Sequence, residues 1–391
     1  MMARFKQAGL LCAITAAFCM IAGSAFAGPV WKFGDEDQGL LKLDYKGQFR
    51  MMNRDTGASP DGDGSATEFN FRRNRLALMG AYGENFGLYV QTEYTEDNNV
   101  TAFGVYDGDN DKFQILDAVM RFKLNDSVNL WVGKFKYNMT RENLEACEKP
   151  LTLDRSELIR APFVTTRDKG VALWGNLFDD KFQYRLDVMN GRNDSASSPE
   201  SNPRYSARVH LSLLDPETRY GYYGTYLGKK KVLTIGAAYQ FENEVAYAGT
   251  QDVDYKAWTV DLFGEYPIDG IGTFTLSGAY VDYDMDDAYQ NGSPDADVVG
   301  LNGEKNGGYV KVGYMFPRLP LQLFARSENW SFASLNSIYD QEVNWYGGGF
   351  NYYLRGQNLK VTVEYSQVDY DKEVSSVEDF NTLTAQLQLI F

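Results

Sequence analysis

The chain ends Thr382-Leu383-Thr384-Ala385-Gln386-Leu387-Gln388-Leu389-Ile390-Phe391. Leu383, Leu387, Leu389 and Phe391 share one parity, and Thr382, Thr384, Gln386 and Gln388 share the other. As a strand, this segment offers one face to lipid and the opposite face to water. A final strand of this kind, ending on an aromatic residue, predicts the closing seam of a transmembrane β-barrel.

The opposite end agrees. Arg4 and Lys6 precede an apolar run from Leu10 to Ala22, followed by Ala25-Phe26-Ala27. That is the order of a secretory signal peptide, and the run is too short to span a membrane as a helix. Residues 1–27 are therefore expected to be a cleaved leader, with the barrel at 28–391. Cys12 and Cys19 leave with it, so Cys147 remains as a single thiol without an internal disulfide partner. One histidine, His210, and no second cysteine exclude a metal cluster, and no cofactor is expected.

Mean hydropathy is -0.41 with no second long apolar run, which excludes a helical membrane protein. Aromatics reach 15% of the chain, with 27 Tyr, 24 Phe and 37 Gly, as aromatic girdles around a polar lumen require. Loss of Arg4 and Lys6 takes the formal charge from -15 to -17, which argues against nucleic acid as a partner.

Period-two segments fall near 40–53, 68–82, 86–96, 112–124, 127–137, 168–178, 181–190 and 203–214. They continue near 231–242, 255–266, 271–283, 307–316, 319–331, 342–354, 358–370 and 380–391. The fold class is all-β: an antiparallel transmembrane barrel of about 16 strands. Short periplasmic turns such as Asn125-Asp126 and Pro317-Arg318 alternate with long extracellular loops near 54–67, 97–111, 138–167, 191–202, 243–254, 284–306 and 332–341. Residues 215–230 break the pattern, standing where a short turn belongs. A soluble sandwich is the rival, but its strands average about 5–6 residues. Gly347-Gly348-Gly349 lie inside a strand, which suggests close packing or a bend.

Parity assigns inner faces. Lys42, Asp44, Lys46, Gln48 and Arg50 oppose Leu41, Leu43, Tyr45, Phe49 and Met51, while Arg204, Ser206, Arg208 and His210 oppose Tyr205, Val209 and Leu211. Arg73, Arg75, Arg121, Lys123, Arg185, Lys311, Arg326 and Lys360 also turn inward, with Arg72 near a rim. Inward acids are fewer: Asp44, Glu93, Asp117, Asp187, Asp261, Glu265, Glu328 and Glu364. A lumen more basic than the chain as a whole favours anions, unless the charges simply pair across strands.

Phe71-Arg72-Arg73-Asn74-Arg75-Leu76 and Gly133-Lys134-Phe135-Lys136 resemble the phosphate-selective porin O and P family. So do Glu142, Asp154-Arg155-Ser156, Arg167-Asp168-Lys169-Gly170-Val171, Asn190-Gly191 and the last strand. The resemblance implies a 16-stranded barrel in the outer membrane of a Gram-negative cell, set in lipid and lipopolysaccharide, usually trimeric. It would pass small inorganic or organic anions, phosphate or other oxyanions among them, through a constriction built on an inward third loop. Here that loop is 138–167, with Arg141, Lys149, Arg155 and Arg160, and Lys134 and Lys136 at its base are the leading selectivity residues. Glu142, Glu145, Glu148, Asp154 and Glu157 in the same loop work against a purely cationic trap.

Three rival functions stand beside this one. Ser206, His210, Ser212 and Asp187 could be imagined as a hydrolytic grouping, yet positions i and i+4 on a strand lie about 13 Å apart. A sleeve around a redox partner would need a wider barrel. A general or cation-preferring diffusion pore, fed by the acidic loops, is the remaining alternative.

Overall fold

The lipid and water faces read from alternation become the two surfaces of a single closed sheet. A computed structural model describes residues 28–58, 64–95, 112–156, 158–159, 166–191, 202–248, 250–285, 304–335, 338–373 and 378–391. The expected leader lies outside these residues. A short strand β1 (Val30–Phe33) leads through a 3₁₀ turn at Asp35–Asp37 into β2 (Gly39–Ala58), β3 (Gly64–Tyr82), β4 (Phe86–Thr95), β5 (Lys112–Asn125) and β6 (Val128–Lys136). The helical turn α1 (Arg141–Leu144) precedes β7 (Arg167–Leu177), β8 (Phe182–Met189) and β9 (Arg204–Ser212). Then come β10 (Val232–Ala248), β11 (Gln251–Ile268), β12 (Gly272–Asp284) and β13 (Lys305–Met315). The last four are β14 (Leu321–Leu335), β15 (Ile338–Tyr353), β16 (Leu359–Tyr370) and β17 (Phe380–Ile390).

Strands β2 to β17 each pair antiparallel with their sequence neighbours, and β17 returns to β2 to close sixteen strands into a barrel. The seam runs from Thr382 opposite Arg54 to Ile390 opposite Lys46. Beyond it, Tyr45 N–H donates to Phe391 O at 2.7 Å and Phe391 N–H to Tyr45 O at 3.1 Å. Leu43 N–H then donates to Pro29 O at 3.1 Å, and β1 continues along the same edge from Val30 opposite Lys42 to Phe33 opposite Gly39. Two chain segments thus share one strand edge end to end, and no ladder donor faces lipid unpaired there.

Outward positions carry Leu76, Leu88, Met120, Val171, Leu276 and Leu323 in exposed settings, as a lipid face requires. Aromatic pairs mark both margins, Phe86 with Phe122 near the short turns and Trp258 with Tyr280 toward the loops. Inward, Gly347 stands directly opposite Arg326, and a Cβ there would meet the Arg326 Nε at 3.0 Å. The glycine makes room for the guanidinium, whose carbon lies 3.2 Å from the Trp345 ring centre.

Three expected loops are largely strand. β2 and β3 pair out to Ala58 opposite Gly64, β10 and β11 to Ala248 opposite Gln251, and β14 and β15 to Leu335 opposite Ile338. Strands of 20, 19, 17 and 18 residues in the first two hairpins exceed the roughly 9–11 that a bilayer needs. Beyond the membrane the outer face meets water while Val245, Val253, Phe332 and Leu335 are buried on the inner one, so the apolar outward residues that identified the strands lapse while the backbone ladder continues. The proposed loops near 97–111, 191–202 and 284–306 fall almost wholly outside the described residues.

Deleting Phe391 removes two backbone hydrogen bonds and its ring contact with Tyr45 at 5.4 Å. At about 1 kcal/mol for each of the three, the barrel should lose about 3 kcal/mol. Unboiled gel electrophoresis over a temperature series would report this as earlier loss of the folded band; an unchanged midpoint would place the closing energy elsewhere.

Candidate functional site

Two segments enter the barrel from opposite ends and meet inside it. From the loop end, the chain leaves β6 at Lys136 and turns inward through Tyr137 to Thr140, all buried. The Thr140 Oγ1 accepts from Asn143 N–H at 3.0 Å and so caps α1, whose four residues are buried. The loop then crosses the lumen. Glu142 meets Lys311 on β13 at 2.9 Å, Glu364 on β16 accepts from Leu153 N–H at 2.9 Å, and Ser156 donates to Glu328 on β14 at 2.6 Å. Glu148 reaches Lys46 on β2 at 3.1 Å, and Asp154 pairs with Arg72 and Arg73 on β3, each at 2.7 Å.

From the short-turn end comes the connection between β9 and β10, whose central residues 215–230 had no reading from sequence. It folds upward against the loop: Ala146 N–H donates to Tyr222 O at 2.9 Å and Gly224 N–H to Lys149 O at 2.9 Å. A Cβ on Gly224 would sit 2.5 Å from Leu151 N, so only glycine permits this approach. Arg141 grips Glu217 with two hydrogen bonds, at 2.8 and 2.7 Å, between the rings of Tyr222 and Phe263. Glu265 on β11 accepts from Thr225 Oγ1, Tyr226 N–H and Gly228 N–H. Burial would raise the Glu217 carboxyl, but Arg141 beside it holds it down at about 2.

The inward cations fall into two groups. Most face a carboxylate: Lys42 with Asp44, Lys46 with Glu148, Arg73 with Asp154, Arg75 with Glu93, Lys123 with Asp126, Arg204 with Glu242, Arg208 with Asp261, Lys311 with Glu142 and Arg326 with Glu364. Arg50 donates to Asn70 at 2.9 Å. Lys123 lies on the exposed short-turn rim rather than deep in the lumen. The simple excess of inward base is therefore largely neutralised, in good part by acids of the inward loop.

The second group has no carboxylate partner among the described residues. Arg121 lies between Tyr89 and Trp131, its guanidinium carbon 4.9 and 4.4 Å from their ring centres. Arg185 lies against Tyr220 and Tyr222 and donates to Gln183 at 2.7 Å. Lys136 donates to Glu145 O at 2.6 Å and approaches Cys147 Sγ at 3.8 Å. Arg155 donates to the carbonyls of Glu142 and Asn143, each at 3.0 Å. Burial alone would raise the Cys147 thiol, yet Arg155, Lys136, Arg75 and Arg73 hold it well below its ordinary range, which registers the positive field at this depth. Lys360, also inward, has a buried ammonium without a hydrogen-bond partner.

Lys134 corrects the sequence reading. It stands opposite Lys169 and Ala118, on the face of Val132 and exposed Val171, and donates outward to Ile115 O at 2.9 Å. It shares a face with Leu130 and Val132 on the lipid side, where a long stem carries the ammonium toward the rim. The imagined hydrolytic grouping does not assemble: His210 Nδ1 meets Tyr222 Oη at 2.7 Å, Ser206 accepts from Gln240 and Asp187 accepts from Asn138 N–H. Arg160 and Glu157 lie outside the described residues.

Below the meeting point of the two segments, a cavity of about 970 Å³ opens toward the short turns. Its walls include Arg121, Trp131, Lys149, Arg219, Tyr220 and Tyr223. Sequence reasoning missed Arg219 and the tyrosines because they belong to the unexplained connection; its spacing of Tyr220, Tyr222, Tyr223 and Tyr226 around Gly221 and Gly224 was the available signal.

A sequence model of the phosphate-selective porin O and P family matches residues 45–391. The fold is similar to the outer membrane channel DcaP of Acinetobacter baumannii, at 15% identity and TM-score 0.58, over 92% of this chain and 99% of that one. It is also similar to an anion-selective porin from Comamonas acidovorans, at 8% identity and TM-score 0.57, over 90% and 100%. In-vitro folded OmpT of Vibrio cholerae in its trimer form gives 13% identity and TM-score 0.53, over 90% and 99%. No curated protein matches the sequence.

The value of about 2 at Glu217, against an ordinary 4.5, means that its ion pair contributes fully above about pH 4.5 and is lost as pH falls through 2. About 3 kcal/mol of docking energy is at stake. Near-ultraviolet circular dichroism should lose the stacked Trp131–Tyr220 signal across that window, and Glu217→Gln should weaken it at neutral pH; retention at pH 2 would refute the anchoring role.

Proposed function

Because this chain belongs to the phosphate-selective porin O and P family, we propose that this outer-membrane porin prefers anions and selects them where the inward loop meets the β9–β10 connection. The family and the fold point to a channel rather than an enzyme. In this reading residues 1–27 are the export leader, 138–167 form the constriction loop, and the barrel works as a homotrimer surrounded by outer-membrane lipid and lipopolysaccharide. Small inorganic or organic anions are the solutes.

One observation carries the preference: the cations left without carboxylates succeed one another along the interior. Arg155 borders a small recess on the loop side with Arg72 and Thr166, where Glu142 and Asp154 are already held by Lys311 and by Arg72 and Arg73. Lys136 reaches the carbonyl of Glu145, next to Ala146 in the cavity wall, and Arg121, Lys149 and Arg219 line the cavity beyond. Spaced positive charges with modest individual affinity let an anion shed water and still move on. Glu145, which forms no ion pair among the described residues, is raised to about 8 by burial and then by Glu142, so near neutral pH it adds little negative charge.

In a planar bilayer under a potassium chloride gradient, the reversal potential should have the sign of anion preference. Arg155→Glu and Lys149→Glu should each shift it toward cations by several-fold in permeability ratio, while Lys134→Glu, on the outer surface, should leave it unchanged. Cation preference in the unaltered protein would overturn the reading. As Glu145 ionises only as pH rises through about 8, anion preference should weaken across that range, and Glu145→Gln should remove the dependence.

A further inference from the structure

The cavity at the short-turn end has a character that charge alone does not explain. Its volume of about 970 Å³ lies at the upper end of the range of small-molecule sites, about 300–1,000 Å³. Three of its cations lack carboxylates, and all three are tied to aromatic rings. Arg121 is held between Tyr89 and Trp131; Lys149 Nζ is 3.9 Å from the Tyr223 ring centre; Arg219 donates to Tyr223 Oη at 2.6 Å. Trp131 and Tyr220 stack at 4.0 Å with an interplanar angle of 27°, which leaves a rigid aromatic wall beside Arg121.

From this arrangement we infer that the cavity binds aromatic carboxylates. The carboxylate pairs with the free edges of Arg121 or of Lys149 and Arg219, and the ring lies along Trp131, Tyr220 and Tyr223. Arg121 Nε itself is buried, which leaves the terminal amino edge of the guanidinium to the carboxylate. At the mouth, Lys42 pairs with Asp44 and Lys123 with Asp126, and Glu84 and Asp180 add negative charge, so the unmatched positive charge of the lining lies on the aromatic wall. A compact tetrahedral anion would use the same donors yet leave that wall wetted and without a partner. An aliphatic acid of equal size would cover the wall but lack the ring that pairs, stacked or edge-on, with Trp131, Tyr220 and Tyr223.

The inference rests on the anion-preferring reading for how such a ligand reaches the cavity, and its test is separate from conductance. Isothermal titration of the detergent-solubilised barrel would use sodium benzoate, sodium cyclohexanecarboxylate and inorganic phosphate at one pH and ionic strength. Benzoate is expected to bind about tenfold more tightly than either competitor. Arg121→Gln and Trp131→Leu should each reduce benzoate affinity by about that factor, with the folded band on unboiled gels as the check on integrity. Lys149→Gln, on the loop rather than the barrel wall, tests the same site without touching a strand. Equal binding of benzoate and cyclohexanecarboxylate, tighter binding of phosphate, or benzoate binding that survives all three substitutions overturns the inference. Anion preference in the bilayer together with any of these results leaves the channel reading standing and removes only the aromatic site; cation preference with intact benzoate binding does the reverse.

Discussion

A charge withdrawn from water needs a counter-charge, and inside this barrel that requirement shapes almost every contact. Wall residues such as Lys46, Arg73 and Lys311 would be costly alone at their depth. Glu148, Asp154 and Glu142 meet them from the inward loop, and Arg141 of that loop is met in turn by Glu217 from the other end. The loop is held by many such pairs on different strands, so its position is determined by the wall rather than by its own short helix. The few cations that escape pairing stand out against this background of neutralised charge, and Arg121, Lys149 and Arg219 among them line the cavity at the short-turn end.

Much of the architecture was legible because alternation is a direct imprint of a sheet with lipid on one side. All sixteen barrel strands, the return of the last strand to the first, and the short turns follow from that single period. What the period cannot report is anything that approaches a face from outside the sheet. Lys46 and Lys311 meet loop carboxylates inside the barrel, but nothing in their own strands reveals those partners. The β9–β10 connection carries no alternation at all, so its docking against Lys149 and Tyr137–Glu145 was invisible until the two segments were seen together. β1 is only four residues long, too short for a period to register.

Lys134 and Lys136 show a different limit. Their shared motif invited a shared role, yet the two side chains lie on opposite sides of the wall. Parity gives both to the lipid side, and the ladder, with Lys134 opposite Lys169, holds Lys134 there. At Lys136 the strand ends, and the chain is free to rotate the side chain into the interior. Strand parity is a reliable guide in the middle of a strand and a poor one at its last residue.

The interior contacts have a bearing on assembly as well. Gln388 on the final strand donates to Glu148 O across 240 residues of sequence, at 3.0 Å, and Gln48 donates to Gln388 across the seam. A seam slipped by one residue would turn Gln388 to the lipid and bring Leu387 or Leu389 against the loop. The correct closure is therefore distinguished from its nearest errors twice over, once by the lipid outside and once by the loop within. The filled lumen acts as a template against which the barrel's own register is proofread.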